Sequence, residues 1–274
     1  MNFTKMHGLG NDFVVIDAVT QKLTLTPEKI SELAHRNFGI GYDQLLIVEP
    51  AVTKTADFKY RIFNADGSEV FQCGNGARCF ARFIYNHNLS DKRKIRVDTG
   101  AGQLLLCLNE KGLITVDMGI PRHLPQDIPI QATHEARFYS INVNGIERAV
   151  GAVSMGNPHA VMQINDIKFA PVAELGSALE SHSFFPERAN IGFMQVVDRG
   201  HIKLRVYERG AAETLACGSG ACAAVVIGIE RNLLDNDVTV NLLGGDLSIR
   251  WQGRGHSVFM TGPAVSVFEG QIEL

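Results

Sequence analysis

Two rhythms of apolar spacing run along this chain, and the series occurs twice. Residues 3–7 and 13–17 read as short strands around the polar tight stretch Gly8-Leu9-Gly10-Asn11-Asp12. Thr26-Pro27 reads as an N-cap with proline at the first helical position, so residues 28–37 are expected to form a helix that Gly39 ends. Residues 44–49 and 57–64 follow as strands. Three more are expected at 95–99, 103–109 and 113–118, with Glu110-Lys111-Gly112 as a hairpin loop. Residues 121–129 contain three prolines and form the most linker-like segment of the chain. Beyond them, 138–143 and 149–154 flank Asn144-Gly145, a two-residue hairpin signal. Residues 172–179 take the place of the early helix. Strands are expected at 238–243, 247–251 and 258–261, with Gly244-Gly245 as another turn and a terminal strand near 263–268.

The repetition is literal at one place. Residues 60–82, YRIFNADGSEVFQCGNGARCFAR, align without a gap on residues 204–226, LRVYERGAAETLACGSGACAAVV, at a constant offset of 144. Arg61 falls on Arg205, Glu69 on Glu213, Cys73 on Cys217, Gly74 on Gly218, Gly76 on Gly220 and Ala77 on Ala221. Each copy is a strand, a polar turn, then Cys-Gly-(Asn/Ser)-Gly opening a helix. Ala77, Phe80, Ala81, Ile84 and Tyr85 keep helical spacing, as do Ala221, Ala224, Val225, Gly228 and Ile229. The second helix is apolar almost all round, which implies burial. At an offset of 146, Asn157 falls on Asn11 and Asn190 on Gln44. A repeat of this length implies two related halves. The expected class is α+β: two pseudo-symmetric strand-rich halves, each a mixed, barrel-like sheet around a central helix, with the active site in the cleft between them. The halves are expected at residues 1–118 and 119–262, with 263–274 either returning to the first half or lying at an interface.

Composition narrows the function without choosing it. A chain of 274 residues has room for sizeable cores, and a net charge of −3 gives no reason to expect nucleic acid or anionic membrane as partner. The longest mainly apolar run, near 221–229, is too short to span a bilayer, and residues 1–9 show no signal-peptide pattern. Five cysteines, an odd number in a long chain, point to thiols in a reducing cytoplasm.

The Cys-Gly-x-Gly motif carries the candidate chemistry. Glycines at a helix start let a ligand approach the backbone, and the first N–H groups there lack intrahelical partners. With the helix dipole they suit an anion such as a carboxylate. A cysteine at that position gains thiolate stabilisation, so its pKa is expected to fall toward neutrality. Two such motifs suggest a thiol on each face of one carbon, one removing a proton and the other delivering one.

The motifs that carry a family resemblance are His7-Gly8-Leu9-Gly10-Asn11-Asp12-Phe13, Phe63-Asn64-Ala65-Asp66-Gly67, Cys73-Gly74-Asn75-Gly76-Ala77-Arg78-Cys79, Gly156-Asn157-Pro158-His159, and Tyr207-Glu208-Arg209-Gly210 through Ala216-Cys217-Gly218-Ser219-Gly220. In this order, over essentially the whole chain, they resemble the diaminopimelate epimerase family of pyridoxal-phosphate-independent amino-acid epimerases. The resemblance implies interconversion of LL- and meso-diaminopimelate, on the route to lysine and peptidoglycan precursors, with no cofactor or metal. It implies Cys73 and Cys217 as the proton-transfer residues, and the backbone of Gly74, Asn75, Gly218 and Ser219 as the carboxylate site. Asn11, Gln44, Asn64, Asn157, Asn190, Glu208 and Arg209 would hold the amino groups and distal carboxylate, while His159 and Glu208 tune the cysteines. It also implies a homodimer.

Plainer readings compete. Cys79, Cys107 and Cys222 read as small buried hydrophobes, and their spacing puts Cys79 and Cys222 off the helical faces of Cys73 and Cys217. Glu208-Arg209 alone would pass for a surface ion pair. His87, His134, His182, His201 and His256 receive no role. A proline-type racemase, a thiol redox protein and an amino-acid-binding module are the alternative functions, though no Cys-x-x-Cys supports the redox one.

Overall fold

In the computed structural model, which describes residues 1–71 and 73–273, the chain divides into two compact units, Met1–Asp117 with Thr261–Leu274, and Met118–Met260. Gln72, inside the first copy of the repeat, and Leu274 lie outside the described residues. The class is α+β, strand-rich with mixed pairing.

The first unit opens with β1 (Asn2–Gly8) and β2 (Asn11–Asp17), then α1 (Pro27–Ala34), β3 (Gln44–Pro50), β4 (Phe58–Asn64) and the short β5 (Glu69–Val70). Helix α2 (Gly74–Asn86) and strands β6 (Lys94–Thr99), β7 (Gly102–Leu108) and β8 (Ile114–Asp117) complete its N-terminal part. The second unit holds β9 (Tyr139–Val143), β10 (Ile146–Ser154), β11 (Pro158–Gln163), a single 3-10 turn, Ile167–Phe169, α3 (Val172–Glu180), β12 (Asn190–Asp198) and β13 (His201–Glu208). It continues through β14 (Ala212–Thr214), α4 (Gly218–Glu230), β15 (Asp237–Leu242) and β16 (Gly245–Arg250). Strand β17 (Phe259–Gly262) leads back, and β18 (Val265–Gln271) ends the fold.

The pairing programme is the same in both units. In the first, β1–β2 is antiparallel, β2–β3 parallel, β3–β4 antiparallel, β4–β6 parallel and β6–β7 antiparallel. In the second, β10–β11, β11–β12, β12–β13, β13–β15 and β15–β16 follow the same alternation. The short strands β5 and β14 fold back on β4 and β13. Each parallel pair needs a crossover, and the helices supply it. In both units the helix that follows the cysteine connects the strands of the second parallel pair and packs on the sheet.

Those two helices are heavily buried, and α1 and α3 anchor further apolar clusters, with Ile30 and Leu33 in one and Val172, Leu175 and Leu179 in the other. Along α4 the residues Ala221 to Ile227 are all buried, and Val225, Val226 and Ile227 each contribute roughly 1.5–3 kcal/mol by leaving water. On α2, Ala77, Phe80, Ala81 and Ile84 face inward as their spacing predicts, with Cys79 and Arg78 buried among them.

Several boundaries differ from expectation, each for a local reason. Helix α1 starts as expected, Thr26 accepting from the Lys29 amide at 3.3 Å, but stops at Ala34 rather than Asn37. His35 leaves the helix at ψ 121°, and the chain folds back so that the Ile40 and Gly41 amides reach the Leu33 carbonyl at 2.8 and 3.0 Å. Gly39 closes this turn against the helix end instead of terminating the helix. Strand β11 hides behind the turn-like Asn157-Pro158; its run from Pro158 to Met162 is wholly buried. Residues 121–129 are tied to the second unit, since Arg122 and Ser154 exchange backbone bonds of 3.0 and 2.9 Å and Ile128 is fully buried. Asn144 and Gly145 have φ of 54° and 82°, the left-handed pair a two-residue hairpin needs. The C-terminal strand packs on the first unit: β18 pairs antiparallel with β1, from Asn2↔Gln271 to His7↔Val265.

Helix α3 is seated with no room to spare. A Cβ on Gly176 would come within 2.6 Å of the Tyr207 Cβ, so helix and β13 touch backbone to side chain. Alanine gains about 1 kcal/mol of helix propensity there, but overpacking a seat this tight costs about 1–3 kcal/mol. Gly176→Ala is therefore expected to lower stability, read as an earlier midpoint in urea unfolding; an unchanged or later midpoint would mean the seat yields.

Candidate active site

In the first unit, β2 opens on Asn11 and α2 on Gly74, and folding sets them side by side. Cys73 is the N-cap of α2 in extended conformation (φ −151°, ψ 109°), and its sulfur accepts from the Gly76 amide at 3.3 Å. The Cys73 carbonyl takes the Ala77 amide at 2.8 Å and the Tyr60 hydroxyl at 3.4 Å. Tyr60 is buried, and burial raises its pKa well above the usual phenol value, so it stays a neutral donor. The Asn11 side chain lies against the motif. Its Oδ1 accepts from Asn75 Nδ2 at 3.3 Å and faces the Cys73 sulfur at 4.0 Å. Its Nδ2 donates to Asp43 at 2.9 Å, and Arg36 holds Asp43 at 2.7 Å. Asn11 is thus locked with its carbonyl toward the sulfur. Gln44 and Asn64 sit opposite each other in the β3–β4 register, and Gln44 Nε2 donates to Asn64 Oδ1 at 2.9 Å.

The second glycine of each motif is limited by space. A Cβ on Gly76 would fall 2.4 Å from the Tyr60 hydroxyl; on Gly220 it would fall 3.1 Å from Val206 and 3.2 Å from the Cys217 sulfur. These glycines answer to core packing as well as to ligand approach.

In the second unit, Cys217 is the N-cap of α4 (φ −111°, ψ 107°), with only 4% of its surface exposed. Ser219 Oγ lies 3.7 Å from its sulfur. Here the expectation of a lowered thiol pKa is wrong. Burial, reinforced by the charge and hydrogen bond of Glu208, raises the Cys217 pKa well above the ordinary thiol value. The Gly220 amide and Ser219 hydroxyl pull the other way and lose. Glu208, at the end of β13, is fixed by the Thr214 hydroxyl across the turn to β14.

His159 is buried, and its Nε2 meets Asn157 Oδ1 at 3.0 Å. Burial, with Arg209 adding a like charge, lowers its pKa to about 3, so the imidazole is neutral near pH 7. Asn190 pairs with His159 in the parallel register; its Nδ2 donates to the Pro158 carbonyl at 3.1 Å and its Oδ1 accepts the Arg209 amide at 3.0 Å. The Arg209 guanidinium donates to the Glu187 carbonyl at 3.0 Å.

The predicted residues therefore gather in three groups: Asn11, Cys73, Gly74 and Asn75 with Gln44 and Asn64 nearby in sequence register; Asn157, His159, Asn190 and Arg209; and Glu208, Cys217, Gly218 and Ser219. Sequence reading missed Asp43, Tyr60 and Thr214, which touch these residues, and Glu180, which takes the Gly210 amide beside Arg209. The available signals were that Asp43 adjoins Gln44 and that Tyr60 and Thr214 lie within the repeated stretch. The remaining cysteines lie elsewhere: Cys79 and Cys222 are interior to the helices with no surface, and Cys107 is on β7. Burial pushes the Cys79 thiol up to about 12. Among the described residues, no three His, Cys, Asp or Glu side chains are placed to share a metal ion.

Comparison with known proteins gives one family. The model of the family described as diaminopimelate epimerase matches residues 3–124 and 151–267. Diaminopimelate epimerase of Nitrosomonas europaea is 59% identical over 274 residues, covering 100% of this chain and 99% of that one. The enzyme of Chromobacterium violaceum is 58% identical with the same coverage. Among solved structures, a phenazine biosynthesis protein of the PhzF family from Bacillus anthracis superposes with a TM-score of 0.73 at 17% identity, covering 100% and 99% of the two chains. A hydroxyproline epimerase from Agrobacterium vitis gives 0.70 at 13% identity, covering 98% and 91%. At such identities these two structures show a shared fold.

The raised Cys217 pKa makes a testable claim about sign. A negative neighbour disfavours the thiolate, so Glu208→Gln is expected to lower the pH midpoint of Cys217 alkylation by iodoacetamide. Burial raises that midpoint and slows the reaction in both proteins, so the difference between them reports the Glu208 carboxylate. Peptide mass spectrometry across a pH series reads it; a midpoint unmoved or raised in Glu208→Gln would contradict the electrostatic assignment.

Proposed function

We propose how this chain moves a proton from the premise that it belongs to the diaminopimelate epimerase family. Its reaction is epimerisation of diaminopimelate, an isomerisation in lysine biosynthesis. We assign it the interconversion of the LL and meso forms at one α-carbon. The observation that carries the mechanism is the doubled helix start: in each unit a cysteine caps a buried 13-residue helix.

Inverting a carbon that bears an acidic hydrogen needs a base on one face and an acid on the other. Cys73 and Cys217 supply them, one as thiolate and one as thiol, and they exchange roles when the reaction runs backward. The α-hydrogen is weakly acidic, so charge developing on the carbon must be drawn onto the adjacent carboxylate. The helix-start amides of Gly74 and Asn75, and of Gly218 and Ser219, are the donors for that carboxylate, backed by the helix dipoles. The tight seating of both helices supports this role, because donors that need no reorganisation stabilise charge most effectively. This route uses no cofactor and no metal.

The two ends of the substrate differ in role, one reacting and one only held, and the two units differ in their polar groups accordingly. Asn11, Gln44, Asn64, Asn157 and Asn190 offer neutral donors and acceptors for the ammonium groups and carboxylates. Glu208 adds a negative charge suited to an ammonium group and keeps Cys217 protonated in the resting enzyme. His159 serves the cysteines as a neutral group, consistent with its lowered pKa. Arg209 presents a guanidinium fork to the distal carboxylate.

A homodimer goes with this reading, supported by the exposed Val265, Val267 and Phe268 along β18, a patch that a second copy would cover. The thiol chemistry requires reduced cysteines and so favours the cytoplasm. No helix among the described residues is long and apolar enough to cross a membrane.

Removing either proton-transfer group is expected to cost about 10²–10⁴-fold in turnover of LL-diaminopimelate. Cys73→Ala and Cys217→Ala should both show that loss, and Cys107→Ala should retain most of the rate. Near-normal turnover in either of the first two would defeat the assignment.

A further inference from the structure

Helix α3 ends in a carboxylate that takes no part in the proton transfer. Glu180 has only 4% of its surface exposed, and a buried carboxylate persists only where its oxygens are bonded. Its Oε1 accepts the Gly210 amide at 3.1 Å and lies 3.4 Å from the Arg188 guanidinium. Its backbone carbonyl accepts the Ala189 amide at 3.2 Å. One residue therefore holds two separate segments: the loop before β12, which delivers Asn190, and the turn after β13, which delivers Arg209.

Those segments are also bonded to each other. The Arg209 amide reaches Asn190 Oδ1 and its guanidinium reaches the Glu187 carbonyl, both at 3.0 Å. Arg188, between Glu187 and Ala189, adopts the left-handed conformation at φ 60°, which a non-glycine residue keeps only when its surroundings require it. The helix that presents Glu180 cannot drift, because Gly176 already sits against Tyr207, one residue before Glu208.

The repeat shows what the carboxylate is for. At the offset of 146, Glu180 falls on Ala34, the last residue of α1; at the offset of 144, Arg209 falls on Ala65. The unit whose turn has no arginine also has no carboxylate at its helix end. There the turn is closed by its own bonds, the Gly67 amide meeting the Asn64 carbonyl at 2.9 Å, and it sits against the start of α1, where a Cβ on Gly67 would come within 2.4 Å of the Pro27 carbonyl. Carboxylate and arginine are present together or absent together.

We propose that Glu180 is a positioning residue that fixes the Arg209 turn for recognition of the distal carboxylate, an assignment that rests on Arg209 being the group that meets that carboxylate. A bond from a charged acceptor to a main-chain amide holds the turn where side-chain contacts alone would leave it free to rotate, and a guanidinium fork needs a fixed direction to meet both oxygens of a carboxylate. The non-reacting end of the substrate is thereby held before chemistry begins.

Four proteins test it: Glu180→Ala, Glu180→Gln, Arg209→Met, and Glu180→Ala combined with Arg209→Met. The readouts are kcat and KM for LL-diaminopimelate and hydrogen exchange of the amides in residues 208–211. Glu180→Ala is expected to raise KM about tenfold with a smaller effect on kcat, the scale of one lost charge-assisted bond, and to speed exchange at Gly210. Glu180→Gln keeps an acceptor oxygen and should recover most of both. Added to Arg209→Met, Glu180→Ala should cost nothing further in kcat/KM. A normal KM in folded Glu180→Ala would overturn the assignment. So would a Glu180→Ala loss that appears at full size on top of Arg209→Met, since that marks a general structural role. If Glu180→Ala does not fold, Glu180→Asp retracts the charge by one methylene and should also raise KM; a wild-type KM there overturns the assignment equally. Wild-type activity in Arg209→Met would overturn the role of Arg209 itself, and the positioning role of Glu180 with it.

Discussion

A helix leaves its first amides without partners inside the helix, and most helices cover them with an oxygen side chain at the cap. Helices α2 and α4 are capped by Cys73 and Cys217 instead. Sulfur is a weak acceptor, which suits these helix starts to an anion, and in the mechanism we propose the same side chain doubles as the proton carrier. Such an end costs stability, and the flanks of the helix offset it. Both helices are sunk in their sheets, with the second motif glycine pressed against Tyr60 in one unit and Val206 in the other. Burial stabilises the helix and also prevents its end from moving, which an electrostatic catalyst requires.

Within that shared frame the two units have diverged in their polar supports. Asn11 is oriented by a carboxylate, Asp43, whereas its counterpart Asn157 is oriented by a buried neutral imidazole, His159. The turn before the first cysteine carries Asn64 and that before the second carries Glu208 and Arg209. One consequence is electrostatic: Cys217 has a carboxylate beside it and a thiol pKa driven upward. The backbone repeats, and so does the Arg61–Glu69 pair as Arg205–Glu213, while the charges nearest the cysteines do not, which suits a substrate whose ends differ in role.

The sequence made the backbone programme legible because that programme is written in local signals. The Cys-Gly-x-Gly helix starts, the Asn144-Gly145 hairpin and the Thr26 cap follow from a few adjacent residues each. The supports were not legible, because they depend on which residues the fold brings together. Glu180 and Gly210 lie 30 residues apart, and Asn11 and Asp43 lie 32 apart. The direction of the Cys217 pKa failed for a related reason. The helix start is visible in sequence, but the burial and the Glu208 carboxylate that outweigh it are properties of the folded unit. Strand β11 was lost to its turn-like entry at Asn157-Pro158, and the end of α1 was misplaced by a chain reversal that Gly39 closes rather than starts.

The central claim is that two thiols, one for each face, carry the proton. A thiol holds a single proton, so in D2O the donating cysteine carries deuterium from solvent, and the thiolate on the other face captures the substrate's own protium. Mass spectrometry of LL-diaminopimelate and its meso product after a small fraction of turnover reads both pools. The account predicts almost complete deuteration at the α-carbon of the new stereoisomer while the remaining substrate stays mostly protiated, with the same asymmetry in the reverse direction. Substantial protium at the α-carbon of the product would mean that one base serves both faces, and would contradict it.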